Sequence, residues 1–207
     1  MKISVVAAGG RSGRALVTEA LKTDYKVRAG VRSNSFFEPN KNLTIVKCDA
    51  NNKQDVLRLI NGCDAVVSLI GHVKGSTSDI QTRATELLVE AMKDQKINRL
   101  ISLTGTGVRI PGDKITLLDR LLNLGVSVID PARVKDGNNH FEIIKNSGLD
   151  WTVIRVLKLQ NTKPKPYRLA VNGPSKLVVS RGEVAQAIIE LLKTNKFIHQ
   201  SPIISKY

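Results

Sequence analysis

The chain is poor in cysteine and lacks the spacings that hold structural metals. Cys48 and Cys63 are its only cysteines, and neither belongs to a CxxC pair. The three histidines, His72, His140 and His199, are scattered, so no zinc-ligand spacing arises. The sequence therefore predicts no metal site. Both cysteines border predicted strands, which favours burial as small apolar side chains.

Acidic residues are outnumbered: the chain has 18 Asp and Glu against 32 Lys and Arg, a formal net charge of +14. This charge favours anionic partners, whether nucleotides, nucleic acid or a membrane surface, without choosing among them. Aromatic residues make up only 4% of the chain, and no RRM, KH or zinc-finger signature is present. We therefore expect a solvated basic surface, nonspecific polyanion binding at low salt and no specific nucleic-acid partner.

Long apolar runs are also missing. No apolar run approaches 18 residues, and the N-terminus shows no charged segment followed by an apolar secretory stretch. We expect a soluble protein of the reducing cytoplasm with no membrane partner, as a monomer or homodimer. The 207 residues and 42% hydrophobic content suit one domain, residues 1–207, around one core.

Short apolar runs alternate with helical patterns along most of the chain. The predicted strands are Ile3–Ala8, Tyr25–Val31, Leu43–Lys47, Ala65–Ile70, Arg99–Thr104 and Trp151–Val156. A helix follows the first strand directly, and further predicted helices are Gln54–Asn61, Ile80–Lys93, Ile115–Leu124 and Asn139–Asn146. Strands that alternate with helices indicate βαβ units. The sequence therefore predicts an α/β fold with a doubly wound parallel sheet.

The segment 157–180 interrupts this alternation. It carries Pro164, Pro166 and Pro174 and two short β-like pieces. We predict a small C-terminal cap on the substrate side, within the same domain. After it, Ser180 and Glu183 have capping-box spacing and predict the start of a final helix.

A glycine-rich turn joins the first strand to the first helix. Its residues are Gly9, Gly10, Arg11, Ser12 and Gly13. At this position such a turn lets the backbone approach a pyrophosphate at the helix N-terminus, although clustered glycines also form simple tight turns. Ala7 replaces the first glycine of a GxxGxxG register. We expect Ala7 to keep a negative φ or Gly9 to take over its role.

The end of the second strand predicts which dinucleotide is bound. An acidic residue there binds the ribose 2′-hydroxyl of NAD, whereas arginine accommodates the 2′-phosphate of NADP. The segment 28–33 has no acid, and Arg32 follows Gly13 by 19 positions, close to the usual spacing. We therefore expect a preference for NADPH over NADH, the alternative being that Arg32 is an ordinary solvated arginine.

Seven segments together resemble the atypical short-chain dehydrogenase/reductase group. They are Gly10–Gly13, Val31–Arg32, Asp49, Gly62–Val67, Ile70–Gly71, Ser147–Arg155 and Ser180–Ala185. The group includes the NmrA-like proteins and the biliverdin reductase B and flavin reductase branch. The resemblance spans nearly the whole chain and implies an NAD(P)-binding Rossmann fold.

The same resemblance implies a set of cofactor-binding positions. Those beside the pyrophosphate are Gly10, Ser12, Gly13 and Arg14. Those at the adenosine end are Arg32, Ser33, Asp49 and Ala50. Those along the ribose and nicotinamide are Ile70, Gly71, His72 and Thr104. The helix that carries His140 and the loop 156–160 would border the substrate.

The chain lacks the usual acid of short-chain dehydrogenases, a tyrosine with a lysine four residues later. Tyr25, Tyr167 and Tyr207 are the only tyrosines, and none has that lysine. This disfavours alcohol dehydrogenation and sugar epimerisation. Hydride transfer to a conjugated acceptor is less demanding, because the acceptor delocalises the incoming electrons.

We therefore hypothesise an NADPH-dependent reductase of a conjugated small molecule: a flavin such as FMN or FAD, a quinone or a linear tetrapyrrole. Thr104 would position the nicotinamide or substrate, and His140 would be the proton donor. The alternative is a non-catalytic NADP(H)-binding redox sensor of the NmrA-like type, since the missing acid and base residues fit that function as well.

Overall fold

The computed structural model describes residues 1–33, 37–108, 110, 113 and 116–206. Its strands are β1 Lys2–Val6, β2 Lys26–Val31, β3 Leu43–Lys47, β4 Ala65–Ser68, β5 Arg99–Gly105, β6 Asp150–Val156, β7 Leu159–Gln160, β8 Tyr167–Ala170, β9 Val179–Ser180 and β10 Ile203–Lys206. Its helices are α1 Arg11–Ala20, α2 Lys53–Ile60, α3 Ile80–Asp94, α4 Leu117–Ile129, α5 Pro131–Lys145 and α6 Arg181–Thr194.

Eight strands form one sheet in the order β3-β2-β1-β4-β5-β6-β10-β8. All neighbouring pairs are parallel except β10 and β8, which are antiparallel. The predicted doubly wound parallel sheet is confirmed. The strand order reverses between β1 and β4, and ligands of such sheets bind outside the carboxyl ends of the strands at this reversal.

Helices cover both faces of the sheet. Helices α1 and α6 pack on one face, and α2, α3 and α5 pack on the other. The first three residues of β4 are all apolar because they face two cores: Ala65 and Val67 belong to one core cluster, whereas Val66 belongs to the other. Because successive side chains point to opposite faces, a strand covered on both faces needs apolar residues throughout.

The helices of the second half begin and end at different residues from those predicted. Helix α5 begins at Pro131 rather than Asn139, because Asp130 caps it through the Arg133 amide and proline suits the first helical turn. Helix α4 extends to Ile129 rather than Leu124. The predicted helix start at Ile115 lies outside the described residues.

The segment 157–180 forms only short strands, as its prolines predict. Strand β7 pairs with β9 in a separate two-stranded sheet. Strand β8 instead extends the main sheet, by pairing with β10, a strand that the sequence analysis did not predict. The capping box is confirmed: the Ser180 hydroxyl accepts from the Glu183 amide, and the Glu183 carboxylate accepts from the Ser180 amide. No helix in the described ranges has the length and apolar character needed to cross a bilayer.

Candidate functional site

The glycine turn lies at the carboxyl end of β1, where the strand order reverses. The Gly10 amide donates to the Ala7 carbonyl (3.0 Å), and the Ala8 amide donates to the Gly30 carbonyl on β2 (2.9 Å). A Cβ atom on Gly13 would overlap the Ala7 carbonyl oxygen and the Ala8 backbone. Only glycine therefore lets α1 pack this closely against the end of β1.

Ala7 adopts a φ of +60°. The expectation that Ala7 would keep a negative φ, or that Gly9 would take over, was wrong: Gly9 is not among the described glycines with positive φ. The turn needs a left-handed residue at position 7 so that its carbonyl can accept from the Gly10 amide. Alanine meets this need at a cost in backbone strain.

A cavity of about 350 Å³ opens beside the turn. It is lined by eleven of the fourteen residues predicted to bind the cofactor: Gly9, Gly10, Arg11, Ser12, Arg32, Ser33, Asp49, Ala50, Ile70, Gly71 and His72. The other three, Gly13, Arg14 and Thr104, are not among the lining residues. The cavity also has lining residues that the sequence analysis missed, which include Cys48, Asn51, Val73, Ser76, Ile80 and Arg181.

The N-terminus of α1 faces this cavity without a capping side chain. Gly10 is the N-cap residue, and the first turn contains no acidic residue. Helices α2, α5 and α6 are each capped by a side chain, from Asn52, Asp130 and Ser180 respectively. The first amides of α1 and the positive end of its dipole are thus left for an anion.

Two arginines from distant parts of the chain add positive charge here. Arg11 begins α1 and Arg181 begins α6, and desolvation, with a smaller contribution from the charge of Arg11, lowers the pKa of Arg181. The Arg181 Nη1 atom donates to Asn161 (2.8 Å), whereas its Nε is buried without a described partner. Neither arginine forms an ion pair within the described residues, so both charges are available to an anionic ligand.

The adenosine end of the predicted site is formed by β2 and β3. Arg32 and Ser33 are exposed at the cavity after β2. Arg28, by contrast, donates to the carbonyls of Arg58 and Leu59 at the C-terminus of α2 (2.7 and 2.8 Å). Arg28 is therefore engaged in the fold, and Arg32 is the arginine of this strand end that faces the cavity.

The two residues predicted to be catalytic are buried away from the cavity lining. His140 is 2% exposed on α5, its Nε2 lies 2.9 Å from the Ser102 hydroxyl, and burial lowers its pKa to about 4. Thr104 is 5% exposed beside Gly137 of α5, where an added Cβ would lie 3.2 Å from its hydroxyl. A neutral, buried His140 does not fit the predicted role of proton donor.

The cysteines are buried and free, as the sequence predicts. Desolvation, with smaller contributions from Asp55 and Asp49, raises the pKa of Cys48 to about 12. Burial raises the pKa of Cys63 to about 11. Although Cys48 lines the cavity, it is a thiol at neutral pH and a poor nucleophile.

The sequence matches one family model and is similar to two chloroplastic plant proteins. A family model described as NAD(P)H-binding matches residues 7–195. The chloroplastic protein TIC 62 of Arabidopsis thaliana is 27% identical over 178 residues, which cover 74% of this chain and 26% of that protein. An uncharacterized chloroplastic protein of the same plant is 25% identical over 210 residues, covering 92% and 71%. The chain thus spans about a quarter of TIC 62.

Solved structures share the fold at low sequence identity. A short-chain dehydrogenase/reductase from Veillonella parvula, in complex with NADP, has a TM-score of 0.83 and 18% identity, over 99% of this chain and 94% of that one. A candidate NADH-flavin reductase from Streptococcus pneumoniae has a TM-score of 0.79 and 22% identity over the whole of both chains. Because the family model matches nearly the whole sequence, the chain belongs to the NAD(P)H-binding family.

Proposed function

We propose that the protein binds NADP(H) in the cavity and reduces a conjugated small molecule. One observation supports the proposal above all: the uncapped N-terminus of α1 meets the charges of Arg11 and Arg181, which have no ion-pair partner among the described residues, at the reversal of strand order. Backbone amides and arginines are the groups that proteins use to hold a pyrophosphate. Ser12 of the same turn adds a hydroxyl at the cavity.

The contacts that we propose for the cofactor run along the strand ends in order. The pyrophosphate lies against Gly10, Ser12, Arg11 and Arg181, and the adenosine lies between the ends of β2 and β3. Gly13 contributes by permitting the close packing of α1 rather than by lining the cavity. Ile70, Gly71 and His72 then lead from the pyrophosphate toward the nicotinamide.

Arg32 supports a preference for NADPH over NADH. It is exposed at the cavity, where a planar guanidinium can bind a 2′-phosphate through two parallel hydrogen bonds. Asp49, the acid among the described lining residues, accepts a hydrogen bond from the Asn51 amide (3.0 Å). We propose that Arg32 and Ser33 together hold the additional phosphate of NADP.

The bound cofactor supplies a hydride, and the protein's own residues bind and orient the two reactants. We propose a flavin, quinone or linear tetrapyrrole as the acceptor, because such molecules stabilise the transferred electrons themselves. Tyr167 does not offer an alternative acid, because it lies on β8 at the sheet edge and burial raises its pKa to about 12. A candidate NADH-flavin reductase among the structures of like fold supports this acceptor class.

The roles proposed for Thr104 and His140 follow from their burial. Thr104 is a positioning residue that packs α5 against the end of β5 through Gly137. His140 supports the same contact through Ser102 and does not take part in proton transfer. We further propose a cytoplasmic protein, monomeric or homodimeric, whose +14 charge is a solvated surface and not a specific nucleic-acid site.

A turnover assay tests the function. Purified protein is mixed with NADPH or NADH, and absorbance of the reduced nicotinamide is followed after addition of FMN, menadione or biliverdin. We expect acceptor-dependent oxidation that is faster with NADPH at low cofactor concentration. Saturable cofactor binding without oxidation by any acceptor would contradict the reductase and support the redox sensor instead.

A further inference from the structure

The cavity contains a histidine whose ring is held by a buried carboxylate. His72 follows β4, lines the cavity and has a side chain that is 11% exposed. Its Nε2 atom lies 3.1 Å from the Asp136 Oδ2 atom and 3.3 Å from the Ser78 carbonyl oxygen. Two acceptors at Nε2 favour the tautomer with the proton on that atom. The Nδ1 atom is then the ring nitrogen that is left to exchange a hydrogen bond or a proton with a bound molecule.

The Asp136 carboxylate is held in place by hydrogen bonds from the start of α3. It lies on α5, is 3% exposed and accepts from the amides of Gln81 and Thr82 (each 2.9 Å). The Thr82 hydroxyl donates to it as well. Asp136 thus caps α3 from a neighbouring helix, while α3's own N-cap residue, Asp79, makes no capping bond. The carboxylate can neither rotate nor withdraw without loss of these bonds.

The other histidines do not reach the cavity. His140 is buried on α5, and His199 is exposed beside Trp151, with its Nε2 3.0 Å from the Leu149 carbonyl. All three histidines lie in the described part of the chain, and His72 alone is among the cavity-lining residues. An imidazole oriented by a buried carboxylate is the arrangement that enzymes use to move protons at neutral pH.

We propose that His72, oriented by Asp136, is the proton donor to the reduced acceptor. The inference rests on the reductase proposed above. Reduction of a quinone or tetrapyrrole adds a hydride, taken from the reduced nicotinamide, and a proton. The Nδ1–H bond of protonated His72 breaks as an O–H or N–H bond forms on the acceptor. The neutral ring then regains a proton from water, and Asp136 balances the charge of the protonated ring.

The variant His72→Gln separates proton transfer from structure. The glutamine amide N–H can donate a hydrogen bond to Asp136 in place of Nε2–H, but an amide is too weak an acid to transfer a proton to the acceptor. We expect turnover with menadione or biliverdin to fall on the order of 100-fold, the usual contribution of a general acid. At saturating NADPH, FMN reduction should stay within about threefold, because the anionic reduced flavin delocalises its charge and takes its proton from solvent. His199→Gln is the matched control and should leave both rates unchanged.

Nitrogen-15 NMR of the imidazole rings gives a readout that needs no turnover. With three histidines, the ring signals are assigned from His72→Gln and His199→Gln. We expect His72 to carry its proton on Nε2, and its Nδ1 signal to shift when NADP⁺ and menadione are added. A His72 ring that is protonated on Nδ1 in the neutral form, or that ignores both ligands, would overturn the assignment.

The outcomes separate this inference from the reductase proposal. If the wild-type protein fails to oxidise NADPH with FMN, with menadione and with biliverdin, the reductase proposal itself is refuted. Wild-type turnover that His72→Gln retains with menadione and biliverdin refutes His72 as donor and leaves the reductase standing. Equal losses with FMN and menadione, or lost NADPH binding in His72→Gln, also overturn the donor role, because they show a cofactor-binding function. A selective loss with menadione and biliverdin supports it.

Discussion

Replacing Ala7 by glycine should stabilise the protein. Ala7 is held at φ +60°, and a left-handed conformation costs an L-residue roughly 1–2 kcal/mol. Glycine removes that strain, but its freedom in the unfolded chain costs about 0.4–1 kcal/mol. The difference predicts a gain of about 1 kcal/mol for Ala7→Gly. In a chain of 207 residues this corresponds to a rise in Tm of roughly 2–4 °C.

The neighbouring alanine provides the matched control. Ala8 is fully buried and is not among the described residues with positive φ. Ala8→Gly should therefore destabilise the protein by about 1 kcal/mol or more, through added unfolded-state freedom and a lost buried methyl group. Urea unfolding of the two variants and the wild type, with thermal melts, measures both effects. Equal or lower stability of Ala7→Gly would refute the backbone strain assigned to the turn.

Three further predictions concern charge and titration. Arg32→Ala should weaken NADPH binding about tenfold or more and leave NADH binding unchanged, whereas Lys26→Ala, an exposed control at the start of the strand that Arg32 follows, should alter neither. His140 has its folded pKa lowered to about 4, so the unfolded state binds its proton more readily and stability falls as pH drops below about 6.5. We expect a loss of about 2 kcal/mol between pH 8 and pH 5 that is absent in His140→Gln, measured by urea unfolding; equal pH dependence of the two proteins would contradict it. Cys48, with a pKa of about 12, should resist iodoacetamide at pH 8 in the folded protein and react on unfolding, and rapid labelling of the native protein would contradict its burial.

The first half of the fold was predictable because most of its strands are buried on both faces. Apolar runs such as residues 3–6 of β1, which are all buried, leave little freedom in where a strand lies. Strand β10 was missed because its four residues form a strand only by pairing with β6 and β8. The start of α5 was missed although Asp130 and Pro131 carry the signal, because polar residues weaken its apolar stripe.

The candidate site was predictable where it follows the ends of the first four strands. The site residues contributed by later parts of the chain were not predictable, because their positions depend on tertiary packing. Arg181 comes to the cavity because α6 packs beside α1, and Asp136 comes beside His72 because α5 packs against α3. The same packing buries His140, which the sequence could not distinguish from an accessible helix residue.

Direct titration with NADPH tests the central claim, that the cavity at the glycine turn holds the cofactor's phosphates between α1 and α6. Binding is followed by calorimetry for the wild type, for Arg181→Ala and for Lys193→Ala, an exposed charge control in the last turn of α6. The account predicts saturable binding that Arg181→Ala weakens by about tenfold or more and Lys193→Ala leaves unchanged. Absence of saturable binding, or equal affinities in all three proteins, would contradict it.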